Sequence, residues 1–172
     1  MTYVDAPTLT CSSHAALGDV RRSAVARGLF QCLIVAEGEP RRQLLTEAAE
    51  RSGWEAVACG DPQSAIAAQA VMHFQLALVD LAGQSLADYS PLLERLSSQG
   101  GLLLLACGSE SSAREEILAR QLGAWVYLPG VEMAEQVSPL CTEARSISEK
   151  ARLAHNTRSR IPRSTVGRSA RR

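Results

Sequence analysis

The chain has 172 residues, of which 46% are hydrophobic, and its 18 acidic and 18 basic residues leave no net charge. This length suits one ordinary domain with tails, and the hydrophobic content is sufficient for a packed core. No stretch approaches about eighteen consecutive apolar residues, and the N-terminus lacks the basic start and apolar centre of a secretory signal, so we expect neither a membrane span nor export. We therefore predict a cytoplasmic protein.

Cysteine and histidine are too dispersed along the chain for a metal site or a disulfide framework. The five cysteines include no CxxC spacing, and the three histidines are remote in sequence from cysteine and from one another. We therefore predict reduced thiols, buried or idle, and no zinc site. The cysteines lie at positions 11, 32, 59, 107 and 141.

The charges divide the chain into an acidic body and a basic tail. Residues 30–149 contain sixteen acidic and seven basic residues, a net charge of −9, whereas the rest of the chain after them contains eight basic residues and no acidic one. We predict a disordered or weakly helical N-terminal extension over residues 1–29, with a short helix at about 15–27. One domain over residues 30–150 and a flexible basic tail over residues 151–172 complete the chain.

Between these extensions, short apolar runs alternate with amphipathic segments. The runs are too short for globular helices and suit strands that are buried on both faces of a parallel sheet. In chain order, we predict strands at residues 30–36, 54–59, 75–79, 102–106 and 125–128.

Helix signals follow each predicted strand. Asp61 before Pro62 is typical of an N-cap and a first-turn proline, and Ser112 with Glu115 forms a capping-box pattern. Pro139 predicts that the last helix is either kinked or begins at residue 138. In chain order, we predict helices from residue 39 to about 52, from 62 to 71, from 86 to 96, from 112 to about 122, and from about 133 onwards.

Five strands that alternate with five helices predict a three-layer, doubly wound α/β fold with a parallel sheet. The strand order 2-1-3-4-5 is the usual solution for a chain of this size, and it places the functional crevice at the carboxyl ends of strands one and three. Glu37 and Asp80 occupy those ends.

Four stretches in this order carry a resemblance to a known family. They are LIVAEGEPRRQLL, WEAVACGDPQSAI, FQLALVDLAG and GAWVYL, which begin at residues 33, 54, 74 and 123. Residues 33–147 resemble the CheY-like receiver domain of two-component response regulators. The resemblance implies a bacterial phosphorelay protein in which two acidic residues and Mg²⁺ lie beside an aspartate that accepts a phosphoryl group from a histidine kinase. It also implies a Ser or Thr after strand four and a Lys after strand five, which contact the phosphate.

This sequence keeps some of these positions and lacks others. Asp80 stands at the phosphoacceptor position and Glu37 at the first acidic position, but Gly38 replaces the second acidic residue. Tyr127 stands at the aromatic switch position of the family. Two carboxylates without a third ligand would make a weak Mg²⁺ site of Glu37 and Asp80, so we expect no firmly bound cofactor.

The two residues that would contact a phosphate are missing. Ala106 stands at the hydroxyl position, which makes it a switch position along with Tyr127, and only Cys107 and Ser109 are near enough to substitute for a hydroxyl. The lysine position falls in Pro129-Gly130, and the single lysine of the chain lies well beyond it. Because a charge-assisted contact contributes roughly 1.5–3 kcal/mol, losing two or three makes stable phosphorylation improbable. We therefore predict a pseudo-receiver whose crevice lacks positive charge, a prediction that an arginine in that crevice would contradict.

Three functions follow, none of them enzymatic. The first is a signalling module that binds a protein partner, or a second copy, through the fourth helix, fifth strand and fifth helix, independently of phosphorylation. The second is an atypical phosphoacceptor that uses Asp80 with Mg²⁺ and a histidine kinase. The third is a nucleic-acid-linked regulator that acts through the arginine-rich tail. Simpler interpretations stay open: Asp80 as a strand-end carboxylate that serves local hydrogen bonding, Glu37 as a solvated residue, Tyr127 as packing, and the tail as a soluble end or a segment lying on the acidic body.

Overall fold

The computed structural model describes residues 30–159, with side chains described to residue 155. The predicted N-terminal extension with its short helix, and residues 160–172 of the predicted tail, lie outside the described residues. None of the described helices is long and apolar enough to cross a membrane.

Five strands and five helices alternate along the described chain. The strands are β1 (Gln31–Val35), β2 (Glu55–Cys59), β3 (Leu76–Asp80), β4 (Leu103–Gly108) and β5 (Val126–Pro129). The helices are α1 (Glu39–Arg51), α2 (Pro62–Val71), α3 (Leu86–Ser98), α4 (Ala113–Gln121) and α5 (Ala134–Ser159). The predicted α/β class and the alternation of elements are confirmed.

All strand pairs are parallel, and the order in the sheet is β2-β1-β3-β4-β5, as predicted. Every residue of β1 and β3 is buried, which accounts for the unbroken apolar runs in the sequence. One face of the sheet packs on α1 and α5, and the other packs on α2, α3 and α4. This three-layer arrangement brings the carboxyl ends of β1, β3 and β4 to one edge.

The layer formed by α1 and α5 is joined to β2 by Trp54. The indole is buried and its Nε1 donates a hydrogen bond of 2.9 Å to the Cys141 carbonyl in α5. Cys32, Cys107 and Cys141 are buried and unbridged in the same layer, as the sequence predicted, and burial raises the pKa of all three thiols.

Two segments differ from the sequence prediction. Strand β4 continues two residues past the predicted end at Ala106, because its pairing with β5 extends to Gly108. Helix α5 begins at Ala134, accommodates Pro139 and runs to Ser159, so residues 151–159, which we assigned to the tail, are helical. These nine residues contain good helix formers and no proline or glycine, which is why the helix continues.

Candidate functional site

The candidate site is the crevice at the carboxyl edge of the sheet, and Asp80 lies at its centre. Asp80 is the last residue of β3 and is only 5% exposed. Its Oδ1 accepts a hydrogen bond of 3.4 Å from the Ala82 amide. Burial raises the pKa of the Asp80 carboxyl, and the nearby Arg41 guanidinium opposes that rise without cancelling it.

Arg41 supplies the crevice with a positive charge. It lies in the first turn of α1, and its Nε is 3.2 Å from Oδ2 of Asp80. The same guanidinium donates through Nη1 to the carbonyl of Val131, in the loop between β5 and α5. The prediction that the crevice lacks positive charge is therefore wrong. The helix that follows β1 turns Arg41 toward the sheet edge, a direction that the sequence pattern did not reveal.

The geometry does not fit the Mg²⁺ site that the family implies. Glu37 is exposed at the end of β1, and Gly38, in extended backbone with φ −72°, offers no side-chain ligand. Arg41 already holds one oxygen of Asp80. Within the described residues, no three carboxylate, histidine or cysteine side chains are arranged to hold a metal ion. The predicted weak pairing of Glu37 with Asp80 thus gains no third ligand.

A buried carboxylate occupies the loop between β4 and α4. Glu115 is 6% exposed, and its Oε2 accepts a hydrogen bond of 2.6 Å from the Ser109 amide. Its Oε1 accepts a second bond of 3.1 Å from the Ser109 hydroxyl. The predicted capping box forms only in part, because Ser112 accepts from the Glu115 amide as expected while the Glu115 carboxylate turns to Ser109 instead.

Tyr127, the predicted aromatic switch residue, joins this cluster. Its hydroxyl donates toward the Ser109 carbonyl at 3.3 Å and toward Oε2 of Glu115 at 3.4 Å. Burial and the Glu115 carboxylate raise the pKa of Tyr127 to about 12. Tyr127 is therefore held toward α4 by a charged acceptor, in addition to its packing against the sheet.

The end of β4 offers no hydroxyl to the crevice. Ala106 is fully buried and lies two residues before the strand ends, and its assignment to the hydroxyl position stays a prediction. Cys107 pairs with Asp80 in the sheet register, and Gly108 ends the strand. A Cβ at Gly108 would collide with the Tyr127 hydroxyl and would lie 2.5 Å from Oε2 of Glu115. Tyr127 and Glu115 therefore fill the space that a side chain at the strand end would need.

The loop after β5 has no amino group for the crevice. Pro129 ends β5, and Gly130 has a φ of 60° and donates its amide to the Gly108 carbonyl at 2.9 Å. Sequence reasoning placed the lysine position of the family at this turn, where neither residue carries a side-chain amino group. It missed Arg41, which holds Asp80, and Glu115, which holds Ser109. Each of them lies in the first turn of a helix beside the crevice, and that position was the signal that the sequence offered.

Solved structures resemble the chain, although no family model and no curated protein match it. A CheY-like receiver domain protein from Methanospirillum hungatei JF-1 is 19% identical, with a TM-score of 0.62 over 72% of this chain and 99% of that one. The chemotaxis response regulator CheY4 of Vibrio cholerae is 16% identical, with a TM-score of 0.58 over 68% and 99%. NtrX from Brucella abortus is 21% identical, with a TM-score of 0.63 over 76% of this chain but only 29% of NtrX.

At these identities the comparisons define the fold. Two of the matches cover 99% of the matched chain. The described chain has the fold of CheY-like response-regulator receiver domains.

Proposed function

We propose that this protein is a signalling module that acts by contact with a protein partner, independently of phosphorylation at Asp80. The observation that carries the proposal is the pairing of Asp80 with Arg41, whose guanidinium also binds the Val131 carbonyl. The sequence predicted a crevice without positive charge. The crevice does contain the guanidinium of Arg41, but this group is already bound to Asp80 and to the Val131 carbonyl.

An incoming phosphoryl group would have to compete with existing contacts on the Asp80 side. A carboxylate paired with a guanidinium is a weaker nucleophile than a free one, because the ion pair stabilises its negative charge. Phosphoryl transfer to a carboxylate also concentrates negative charge, which receivers offset with a metal ion. Here Arg41 occupies Oδ2, and the described residues provide no three-ligand metal group.

The hydrogen-bond donors of the loop between β4 and α4 are also already engaged. The amide and hydroxyl of Ser109 are the donors that lie nearest the end of β4, and both donate to Glu115. The Glu115 carboxylate acts there as an internal anion, and its charge also opposes ionisation of Asp80. A phosphate would need to displace this carboxylate before it could use the loop.

The partner surface that we propose is formed by α4, β5 and α5, and a second copy is one candidate partner. Tyr127 and Glu115 hold α4 against the end of β5 without a phosphate. Ile147 on α5 is 36% exposed, so an apolar side chain is available for contact there. The proposed location is the cytoplasm, where two-component signalling modules operate.

The competing function is an atypical phosphoacceptor, and Arg41 is also the observation that favours it. If the guanidinium moved from Asp80 to a phosphoryl oxygen, it would serve as the cation that lysine provides in other receivers. A histidine kinase would then be the partner. In this case Arg41 would be required for phosphorylation, whereas the leading proposal makes it an obstacle.

Intact-protein mass spectrometry after incubation with acetyl phosphate and Mg²⁺ separates the two functions. We expect the full chain to gain no phosphoryl group under conditions that phosphorylate a standard receiver. A phosphoryl adduct that is present in the full chain and absent in Asp80→Asn would overturn the proposal. Loss of that adduct in Arg41→Met would then assign it to the atypical phosphoacceptor.

A further inference from the structure

A second cleft lies beside the Asp80 crevice at the same edge of the sheet. It has a volume of about 350 Å³ and lies between the segments that follow β1, β2 and β3. Three carboxylates line it, those of Glu37, Asp61 and Asp88, and none of its lining residues is basic. The lining of the cleft therefore carries a net negative charge. Arg42 lies beside it and donates through Nη1 to the Glu37 carbonyl at 3.1 Å, while its carboxylate partner is Glu39, outside the lining.

The carboxylates have different local roles. Asp61 is the N-cap of α2 and accepts hydrogen bonds of 2.8 Å and 2.9 Å from the amide and hydroxyl of Ser64. Asp88 lies in the first turn of α3, and Glu37 follows β1. Neither Glu37 nor Asp88 forms an ion pair with a described residue. Their charges are thus available to a ligand.

Tyr89 supplies the observation that points to a ligand. It lines the cleft, is only 3% exposed, and its hydroxyl has no hydrogen-bond partner among the described residues. Burial raises the pKa of Tyr89 to about 12, and the charges of Glu37, Asp80 and Asp61 add to that rise. A buried hydroxyl without a partner is destabilising, typically by about 1–3 kcal/mol. Its position among carboxylates suits a donor that carries positive charge.

We propose that this cleft binds the guanidinium group of an arginine side chain on a partner protein, with the carboxylates of Glu37 and Asp88 and the hydroxyl of Tyr89 as acceptors. A guanidinium has five N–H donors in a plane and can therefore serve several acceptors at once. Because the Tyr89 hydroxyl is buried in the free protein, the proposal requires the side chains that cover it to move when the guanidinium binds. The inference rests on the proposed function only for the source of the arginine, because the cleft is separate from the Asp80–Arg41 pair.

Two other occupants fit less well. A divalent metal ion needs three or more oxygen ligands close together, and the described residues contain no such group. The basic tail of the same molecule follows α5, whose 26 residues lead away from the carboxyl edge of the sheet over about 39 Å. The tail therefore begins at the opposite edge of the sheet from the cleft. A partner protein avoids both difficulties.

The probe for a first test is N-acetyl-arginine amide, with the uncharged N-acetyl-citrulline amide as a shape control. The full chain is titrated with each and followed by amide NMR. We expect saturable shifts near Glu37, Asp61 and Tyr89 with about millimolar affinity for the arginine compound, and none for citrulline. Equal responses to the two compounds, or no saturable response to arginine, would overturn the proposal.

Variants then test the acceptors. Tyr89→Phe should weaken arginine binding by about tenfold or more while leaving the urea midpoint of the free protein no lower than that of the wild type. Asp88→Asn and Glu37→Gln should each weaken it by about two- to fivefold. Glu94→Gln, which removes an exposed carboxylate elsewhere on α3, is the matched control and should have no effect. Unchanged affinity in Tyr89→Phe would contradict the assigned role of the hydroxyl.

Two further outcomes have distinct meanings. If Mg²⁺ produces the same shifts at lower concentration than arginine, the cleft is a metal site and the inference fails. If arginine binds as expected but Asp80 accepts a phosphoryl group, the cleft stands while the proposed phosphate-independent function fails. The two proposals can therefore fail separately.

Discussion

Arg41 and Asp80 form an ion pair, with 3.2 Å between Nε and Oδ2, and the same guanidinium donates to the carbonyl of Val131. One side chain from α1 thereby joins the end of β3 to the loop after β5. The side chains are 20% and 8% exposed, so the pair is largely shielded from solvent. In receivers that are phosphorylated, the family pattern gives a lysine the task of linking these two places.

Replacing Arg41 by Met should destabilise the domain by about 1–3 kcal/mol at neutral pH, because it leaves a buried carboxylate without its counter-charge. Urea unfolding gives the free energy. Arg120→Met is the control, since Arg120 and Glu116 form an exposed pair that should contribute only about 0–1 kcal/mol.

The pH dependence of that loss has a definite sign. The Asp80 carboxyl has a raised pKa in the folded protein, and removal of Arg41 should raise that pKa further. The destabilisation should therefore shrink as pH falls through the raised pKa, since a protonated carboxyl needs no counter-charge. A loss that is constant with pH would show that Arg41 stabilises the domain by packing alone.

Replacing Glu115 by Gln should lower the pKa of Tyr127 from about 12 toward the ordinary value near 10. The change removes the negative charge beside the hydroxyl, while burial keeps the pKa above its ordinary value. Absorbance titration of tyrosinate measures it, with Tyr89→Phe as the background so that the other buried tyrosine does not interfere. An unchanged Tyr127 pKa would mean that Glu115 does not hold this hydroxyl.

Replacing Gly108 by Ser, which would return a hydroxyl residue to the end of β4, should destabilise the domain by about 1–3 kcal/mol. The new Cβ would meet the Tyr127 hydroxyl and the Glu115 carboxylate at distances well below 3 Å, so their contact must break. Gly100→Ser is the control, because no atom lies within 4 Å of a Cβ built there. Equal unfolding free energies for the two variants would contradict the crowded geometry at Gly108.

The fold could be predicted from sequence because its signals are local. Unbroken apolar runs identified the buried strands, and Asp61 with Pro62 marked the start of α2. The end of β4 was less clear, since Cys107 and Gly108 carry no strand signal of their own and are held by pairing with β5. The length of α5 was underestimated because the basic residues after Lys150 resembled a polar tail although they form helix readily.

The chemistry of the site could be predicted only in part. The sequence alone showed that the hydroxyl, the lysine and the second acidic residue of the family pattern are missing at the corresponding positions. Arg41 and Glu115 were not, because their roles depend on side-chain directions that arise when α1 and α4 dock on the sheet. Both residues also have an ordinary explanation as helix residues, which concealed their contacts with Asp80 and Ser109.

The most direct test of the central claim is beryllofluoride binding, followed by fluorine NMR on the full chain with Mg²⁺. Beryllofluoride mimics a phosphoryl group on an aspartate. Because Arg41 already holds Asp80 and the described residues of the crevice include no three side chains arranged to bind a metal ion, we predict no bound fluoride signal and no change in oligomeric state. Bound signals that disappear in Asp80→Asn and persist in the distant control Glu94→Gln would contradict the account.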